Sequence, residues 1–430
     1  NTDGKLIAQL TKNKWVTTGI LGYNKSKELF FTGMGDNPTE HHAFKVSIAS
    51  KKQTQLTSEK GWHNVKYGEG GIVDEYSNTK TPRVVQLLTS GGVVAQKLLT
   101  AENSLKDYNI GEPDLFTIKS ADGSTDLHCR MIKPSNFNEE KKYPVLVYVY
   151  GGPHAQLVTN SWLASAPLWM YYQAERDYII FIVDNRGSAN RGFEFESVIH
   201  RNLGDAEMED QMKAVSYLKS LPYINPKRLA VHGWSFGGFM TTSLMLRQPG
   251  AFNVGVAGGP VTDWKYYEVM YGERYMDTPE ENVDGYKKAR LHNYTKELKG
   301  KLLLIHGTVD DVVVMQHNLS LVQSFVDNEV QMDFFPYPMH PHNVRGKDRV
   351  HLMEKVLTYI EQNNRMGGMR NGGQGGPMNR QRLNNGESNE KFKEMREQRI
   401  KNMMQNKPVQ NQNQNKPVQN RSFSKPVEKK

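Results

Sequence analysis

A serine between two glycines is the residue of this chain with the clearest potential for chemistry. Residues 229–239 read LAVHGWSFGGF, which places Ser235 between Gly233 and Gly237. A strand that turns sharply into a helix holds such a serine strained and exposed, so that its hydroxyl can attack a carbonyl carbon. Glycine is needed two residues to either side because a Cβ would clash across so tight a turn. The helix-forming stretch Phe236–Arg247 follows the motif, and the alternative is a glycine-rich turn with an incidental serine.

A nucleophilic serine needs a base and an acid, and the downstream sequence offers both in a set order. Residues 301–306 (KLLLIH) predict a buried strand that is followed by Asp310 and Asp311. Residues 332–338 (MDFFPYP) predict another strand, followed by two histidines at 340 and 342. Serine, then acid, then histidine, each at the end of a strand, is the order of the α/β-hydrolase fold. The histidine takes the serine proton and the acid orients the imidazole. Spacing alone does not choose between the two aspartates or the two histidines.

Several motifs taken together resemble the prolyl oligopeptidase clan, and within it the dipeptidyl peptidase IV branch and its bacterial prolyl tripeptidyl peptidases. The resemblance covers about residues 1–362 and is most specific from residue 143 onward. The motifs are YVYGGPHAQ from Tyr148, VDNRGSANR from Val183, GWSFGGFMTT around the serine, AGGPVTDWKYYEVMYGERY from Ala257, IHGTVDD, and HPHNV.

The resemblance implies a catalytic triad in which Ser235 is the nucleophile, Asp310 the acid and His342 the base. His340 and Asp311 are then neighbours without a catalytic role. The two histidines also suggest a metal site, but no third ligand is spaced to complete one. The sequence therefore predicts neither a metal nor another cofactor.

Attack on an acyl carbon creates an oxyanion that two preorganised donors must stabilise. The residue after the nucleophile, Phe236, offers its backbone N–H. The resemblance implies that the Tyr150 hydroxyl, in the sequence VYGGP, is the second donor. The alternative is that Tyr150 is the last core residue of a strand over residues 143–150.

A group of apolar and aromatic residues is implied, by the resemblance, to form a flat box that stacks on a proline ring. Proline side chains have no hydrogen-bond donor, so a rigid apolar slot is a suitable receptor. A Trp/Tyr stripe at helical spacing is in itself more typical of a core than of a pocket. The residues are Val261, Trp264, Tyr267, Tyr271 and Val313, together with the Phe236 side chain.

Two departures from the dipeptidyl peptidase pattern favour release of tripeptides. Phe236 stands where those enzymes have a tyrosine, and Val312 stands where they have an asparagine that bonds the substrate. Glu268, beside the aromatic box, could bind the free amino terminus of a substrate. The alternatives for Glu268 are a solvated helix charge or a partner for Arg274.

The front of the chain repeats with a period typical of propeller blades. Leu-Thr pairs begin at Leu10, Leu56 and Leu99, with Trp15 and Trp62 near the start of two periods. Alternating apolar stretches and Gly/Asn/Asp turns fill each period, as in a β-propeller. A propeller closes with about four or more blades and this stretch supplies roughly two. Together with a start at Asn rather than Met, this predicts the carboxyl-terminal part of a longer enzyme.

The fold class predicted is α/β, an α/β-hydrolase domain over residues 106–365 preceded by a partial β-propeller over 1–105. Residues 366–430 form a tail rich in Gly, Asn and Gln that we expect to be disordered, since such a composition buries too little surface. The tail holds 14 Lys and Arg against five Asp and Glu, and its net charge of +9 equals that of the whole chain. It could bind acidic polymers or surfaces, or serve as a solubilising extension without a partner.

The sequence as a whole predicts a serine exopeptidase that cleaves after proline near a free amino terminus, with tripeptide release favoured. Alternatives are a dipeptidyl peptidase IV-like enzyme, an acylaminoacyl peptidase or esterase, and a non-enzymatic binding protein that uses the propeller and tail. The expected partners are peptides, with no nucleic acid and no membrane span, since no apolar stretch approaches about 18 residues. The single cysteine, Cys129, excludes an intrachain disulfide. The resemblance further implies a periplasmic, cell-envelope or secreted location and is compatible with a homodimer.

Overall fold

The computed structural model of the protein describes residues 3–68 and 70–365. The tail predicted over residues 366–430 lies outside the described residues. The described part begins with two small sheets and continues into one large sheet with helices on both faces.

Two four-stranded antiparallel sheets form the front of the chain, and in each the strands pair in the order in which they follow one another. This meander is the architecture of a propeller blade, as the period predicted. The Trp15 ring, just before the first strand, stacks on the Phe44 ring with centroids 4.6 Å apart and so packs the start of the chain against the first sheet. The strands of the first sheet are β1 (Thr17–Tyr23), β2 (Glu28–Gly33), β3 (His42–Ser47) and β4 (Gln53–Gln55); those of the second are β5 (Trp62–Gly68), β6 (Gly71–Ser77), β7 (Val84–Leu88) and β8 (Val94–Thr100).

An eight-stranded sheet follows the two small sheets along the chain. Its strands are β9 (Pro113–Lys119), β10 (Asp126–Ile132), β11 (Tyr143–Tyr148), β12 (Ile179–Val183), β13 (Ile224–Trp234), β14 (Val254–Gly258), β15 (Lys301–Gly307) and β16 (Asp333–Tyr337). They lie in the order β16-β15-β14-β13-β11-β12-β10-β9. In this order, every neighbouring pair between β16 and β12 is parallel. The strand β10 is antiparallel to both of its neighbours, β12 and β9.

Helices cover both faces of this sheet, which explains why its central strands are continuous apolar runs rather than alternating ones. The helices are α1 (Leu168–Ala174), α2 (Phe193–Glu196), α3 (Ala206–Ser220), α4 (Phe236–Arg247), α5 (Val269–Met276), α6 (Val283–Ala289), α7 (Gln316–Asp327) and α8 (Asp348–Asn363), with 3₁₀ segments at Trp162–Ser165, Ser197–Ile199, Trp264–Tyr266 and Leu291–Glu297.

Successive residues of one strand point to opposite faces, so neighbours in β11 pack in different cores. Val145 and Val147 pack with residues of α3, α4 and α7, while Leu146 packs with residues of α1 and α8. The sheet is therefore a central layer between two helical layers, the α/β-hydrolase architecture that the sequence predicted.

The parallel strands place their carboxyl ends at one edge of the sheet, which is where α/β folds bind ligands. Ser235 follows β13, Asp310 follows β15, and His342 follows β16. Tyr150 lies just beyond the end of β11. The fold thus brings four predicted site residues from four separate stretches of chain to a common edge.

The segment that follows the Tyr150 loop also contacts the blades. Asn160 donates its backbone N–H to the Thr39 carbonyl at 2.7 Å. The Gln156 side-chain amide donates to the Pro38 carbonyl at 2.6 Å. The front sheets and the large sheet are therefore joined by hydrogen bonds close to the edge that holds the site.

Candidate active site

The structure places Ser235 at the sharp turn between β13 and α4. Its backbone has φ 61° and ψ −120°, a conformation that a non-glycine residue adopts at a cost of about 1–3 kcal/mol. A Cβ on Gly233 would lie 2.3 Å from the Val149 carbonyl oxygen, and one on Gly237 would lie 2.2 Å from the same oxygen. The turn therefore requires both glycines. The Ser235 backbone N–H donates to the Gly258 carbonyl at 2.8 Å, which ties the turn to β14.

The Asp310 carboxylate and the His342 imidazole form a buried pair. His342 Nδ1 lies 2.7 Å from Asp310 Oδ2, and the two residues are 9% and 6% exposed. The other carboxylate oxygen of Asp310 accepts the backbone N–H groups of Val312 at 3.0 Å and Val313 at 2.8 Å. Burial opposes ionisation of Asp310, but hydrogen bonds from His306 and His342 outweigh it and hold the pKa of this carboxyl well below its usual range. The aspartate can therefore keep the Nδ1 proton of His342 in place, which leaves Nε2 as the basic atom.

His342 also lies beside the nucleophile turn. The Trp234 indole N–H donates to the His342 backbone carbonyl at 2.9 Å. A Cβ added to Gly259 would lie 3.2 Å from His342 Cε1, so the imidazole packs over that glycine. Because Trp234 directly precedes Ser235, these contacts bring the histidine loop against the serine turn.

His340 and Asp311, which were expected to have no catalytic role, have other surroundings. His340 Nε2 lies 2.9 Å from Oδ2 of Asp348, the first residue of α8, within hydrogen-bond distance. Asp311 is exposed to solvent. Neither side chain competes with Asp310 or His342 for its partner.

The two residues predicted to stabilise an oxyanion, Phe236 and Tyr150, are neighbours in the structure. Phe236 is the first residue of α4, so its backbone N–H has no acceptor within the helix and lies at the positive end of the helix dipole. The Tyr150 ring lies 6.0 Å from the Phe236 ring, measured between centroids. Burial, followed by the nearby Tyr267, raises the pKa of Tyr150 to about 12, which keeps its hydroxyl protonated as a donor.

The loop that carries Tyr150 is held by contacts on both sides. The Asn185 side chain donates to the Gly151 carbonyl at 2.9 Å. A Cβ on Gly152 would lie 2.4 Å from the Phe236 ring, so only glycine allows this approach. β11 ends at Tyr148, so Tyr150 lies two residues beyond the strand, where its partly buried ring packs against the core.

We expect Tyr150→Phe to lower turnover by about 10²–10³-fold, or roughly 3–4 kcal/mol, since it removes one donor to the oxyanion. The Michaelis constant should change little, because the ground-state carbonyl needs that donor less than the tetrahedral intermediate does. Steady-state kinetics on a proline anilide measures both constants. Tyr148→Phe is the matched control, as Tyr148 lies in β11 and packs on the opposite face of the sheet. An effect of Tyr150→Phe on the Michaelis constant alone would contradict the assigned role.

The predicted pocket residues lie in one cluster beside the serine. The Phe236 ring is 5.4 Å from Trp264, and Trp264 stacks on Tyr271 at 5.8 Å with an interplanar angle of 9°. The Tyr267 ring is nearly perpendicular to Tyr271 at 5.3 Å. Val261, Trp264 and Val313 are buried, whereas Tyr267 and Tyr271 are partly accessible. Tyr267 and Tyr271 are therefore the members of the cluster that a ligand could reach from solvent.

Glu268 begins helix α5 and has a role that the sequence did not predict. Its carboxylate accepts the Met270 backbone N–H at 3.0 Å, so it is the N-cap of the helix. The side chain is exposed to solvent. Burial raises the pKa of Tyr267, and the charges of Glu268 and then Asp310 raise it further. The Glu268 charge thus acts on a member of the aromatic cluster from its solvent side.

Sequence reasoning missed two polar contacts around the site. His306, the residue before the end of β15, is fully buried against Asp310. Tyr275, on α5, has its hydroxyl 2.6 Å from Nδ1 of His154 in the loop after Tyr150. A polar residue at the carboxyl end of a buried strand was a usable signal for His306, whereas nothing local links positions 154 and 275.

Among residues 3–68 and 70–365, no group of three or more His, Cys, Asp or Glu side chains is arranged to hold a metal ion. No helix in the same part of the chain is long and apolar enough to cross a membrane.

Two family models match this chain. One is the prolyl oligopeptidase family, matched by residues 165–366, and the other is the dipeptidyl peptidase IV N-terminal region, matched by residues 1–83. The first covers Ser235, Asp310 and His342, the residues of the predicted triad, and the second covers the first blade and part of the second.

Known proteins and structures are similar over the same regions. Dipeptidyl peptidase 4 of Arthroderma otae is 34% identical over 349 residues, which is 77% of this chain and 44% of that protein. Human dipeptidyl peptidase 8 is 29% identical over 377 residues, which is 82% of this chain and 42% of that protein. The chain therefore spans less than half the length of these curated relatives.

Two crystal structures have the same fold with a TM-score of 0.80 each. One is a Bacteroides ovatus protein provisionally described as a dipeptidyl aminopeptidase IV, 50% identical over 83% of this chain and 51% of that chain. The other is dipeptidyl peptidase 4 of Porphyromonas gingivalis, 28% identical over 84% of this chain and 52% of that chain. With the fold and the family matches, these similarities show that the chain belongs to the prolyl oligopeptidase family, in its dipeptidyl peptidase IV branch.

Proposed function

We propose that the full-length protein is a serine exopeptidase that cleaves after proline and releases short peptides from free amino termini. The observation that carries the proposal is the buried His342–Asp310 pair, at 2.7 Å, on the same sheet edge as the strained Ser235 turn. A serine held at positive φ beside an oriented imidazole is the arrangement of an acyl-transfer nucleophile.

The proposed reaction proceeds through an acyl-enzyme. The Ser235 hydroxyl attacks the carbonyl carbon of the proline residue while His342 Nε2 takes the hydroxyl proton. The oxyanion that forms accepts hydrogen bonds from the Phe236 N–H and the Tyr150 hydroxyl. The imidazolium, stabilised by Asp310, gives its proton to the leaving amine as the peptide bond breaks. Water then attacks the ester by the same route and frees Ser235.

The aromatic cluster supports a preference for proline before the cleaved bond. Tyr267 and Tyr271 stand nearly perpendicular to each other, and the Trp264 ring stacks behind Tyr271. An apolar corner of this kind accepts a flat ring without hydrogen-bonding groups, and packing around the buried Val261 and Val313 holds it rigid. An ester substrate whose acyl group carries no ring would leave part of this corner unfilled. The aromatic cluster therefore disfavours the esterase alternative.

Two features support tripeptide over dipeptide release. Val312 is 46% exposed next to the acid and offers no hydrogen bond to a substrate carbonyl. Glu268 supplies a negative charge on the solvent side of Tyr267. The free amino terminus of the substrate is an ammonium, and burying it without a charged partner costs several kcal/mol. A carboxylate at a fixed distance from Ser235 would therefore select peptides whose length matches that distance.

We expect the full-length enzyme to cleave Xaa-Xaa-Pro anilides faster than Xaa-Pro anilides and to reject amino-terminally blocked substrates. Glu268→Gln should weaken the discrimination against the blocked form by up to about fivefold, because a solvent-exposed charge contact contributes about 0–1 kcal/mol. Glutamine can still accept the Met270 N–H, so the helix cap is kept. The measurement is kcat/KM on the free and blocked forms of one peptide.

Glu273→Gln is the matched control, because it removes the same charge from the same helix at a residue whose charge acts on Tyr286. Equal or faster release of a dipeptide from Gly-Pro-anilide would contradict tripeptide release and favour a dipeptidyl peptidase, the activity that names the relatives above. The broader proposal of a proline-specific serine peptidase would still stand.

We further propose a periplasmic, cell-envelope or secreted location and a homodimer, both on the family resemblance. Cell fractionation with an antibody against the protein tests the first, and analytical ultracentrifugation of the full-length protein tests the second.

A further inference from the structure

A third histidine, His306, lies directly beneath the acid of the proposed triad. Its Nε2 is 2.7 Å from the Val313 backbone carbonyl and 3.3 Å from Asp310 Oδ2. The side chain is fully buried. The catalytic mechanism described above makes no use of it.

The surroundings of the ring determine which nitrogen carries the proton. Nε2 faces a carbonyl oxygen and a carboxylate oxygen, both of which are acceptors only. It must therefore be an N–H donor, since a lone pair there would face two negative groups. Nδ1 is buried and has no hydrogen-bond partner among the described residues. His306 thus presents one N–H, directed at the turn from Asp310 to Val313.

That turn is closed from two sides. The Val313 N–H donates to Asp310 Oδ1 at 2.8 Å, and the carbonyl of the same Val313 accepts from His306. Asp310 Oδ2 lies 2.7 Å from His342 Nδ1, and the same oxygen lies 3.3 Å from His306 Nε2. Rotation of the carboxylate would break contacts with His342, His306 and the turn together.

We propose that His306 is a positioning residue, whose Nε2–H holds the Asp310–Val313 turn closed and so fixes the carboxylate that orients His342. The inference rests on the proposed function, in which Asp310 is the acid. It assigns His306 no contact with the substrate.

The test compares pairs of variants that differ in the position or presence of one donor. In His306→Gln the amide nitrogen reaches about as far as Nε2, whereas in His306→Asn it reaches only about as far as Nδ1. We expect kcat of the Gln variant to stay within about threefold of wild type and kcat of the Asn variant to fall about 10- to 100-fold, since a small misplacement of a catalytic group costs about that much. KM on Xaa-Xaa-Pro-anilide should change less than about threefold in both variants, because the substrate does not touch His306.

His306→Met provides a second comparison, because methionine has nearly the length of glutamine but no donor. We expect it to be as slow as the Asn variant. Melting temperature and circular dichroism of the full-length protein identify the variants that fold. Equal kcat of the Gln variant and a folded variant that lacks the donor at this position would overturn the proposal, as would an effect on KM alone.

Wild-type protein separates this inference from the proposed function. If the wild type neither reacts with a fluorophosphonate probe nor cleaves the anilide, the proposed function fails. If the wild type does both and all His306 variants match it, only the role of His306 fails.

Discussion

Ser235→Ala is expected to abolish fluorophosphonate labelling and to lower turnover of a proline anilide by about 10⁴-fold or more. The Ser235 hydroxyl is the proposed nucleophile, so the variant lacks the oxygen that would form the acyl-enzyme. The fold should survive, since the hydroxyl is not part of the cores on either face of the sheet. The strain at φ 61° would remain with alanine, so stability should change little.

Ser216→Ala is the matched control for this experiment. Ser216 lies on the exposed side of α3, where its hydroxyl donates to the Met212 carbonyl, and it has no contact with the site. We expect normal labelling and turnover for that variant. Undiminished activity of Ser235→Ala with a correctly folded protein would rule out the nucleophile assigned here.

His342→Ala is expected to cost nearly as much as Ser235→Ala, because members of a triad act as a unit and their effects do not add. Without the imidazole, the serine proton has no acceptor and the leaving amine has no donor. The double variant should therefore be scarcely slower than either single variant. Turnover of the three variants on one substrate measures this directly.

His340→Ala is the control that the sequence itself supplies two residues away. Its imidazole lies 2.9 Å from the Asp348 carboxylate on α8, in a hydrogen bond outside the predicted triad. We expect turnover within a few-fold of wild type. A severe loss in His340→Ala with a mild one in His342→Ala would mean that the base has been assigned to the wrong histidine.

The parts of the site that local rules govern could be predicted from the sequence. The glycines around Ser235 leave only one kind of turn, and α4 begins and ends at the predicted residues, Phe236 and Arg247. The strand before Asp310 was predicted over residues 301–306 and extends over Lys301–Gly307. Apolar runs bounded by Gly and Pro determine such elements within a few residues.

Features that depend on distant partners could not be predicted in the same way. The apolar run over residues 143–150 predicts a longer strand than the structure has. The strand β11 ends at Tyr148, because the chain turns at Gly151, where φ is 76°. The amide of Asn185 holds that turn. Whether an aromatic stripe is core or pocket likewise depends on what lies opposite it, and for Trp264 and Tyr271 the structure gives both answers, one buried and one partly accessible.

The inward direction of His306 is another such case. Its position at the end of β15 was visible, yet a strand-end histidine can face either layer or solvent. In the structure the turn from Asp310 to Val313 contacts its Nε2, and the side chain is fully buried. Glu268 is another residue whose role the sequence did not predict, since its extended backbone, with φ −60° and ψ 137°, places its carboxylate on the Met270 N–H.

The Val149 carbonyl oxygen touches both glycines of the serine turn, and Tyr150 is the next residue along the chain. Main-chain contact thus sets the spacing between the proposed nucleophile and the proposed oxyanion donor, while the aromatic cluster proposed to recognise the substrate belongs to a separate stretch after β14. In a lineage of such enzymes, the aromatic cluster can accumulate substitutions without disturbing the bond-breaking geometry. Descendants of one ancestor could then diverge in the peptides they accept while inheriting the same hydrolytic machinery unchanged.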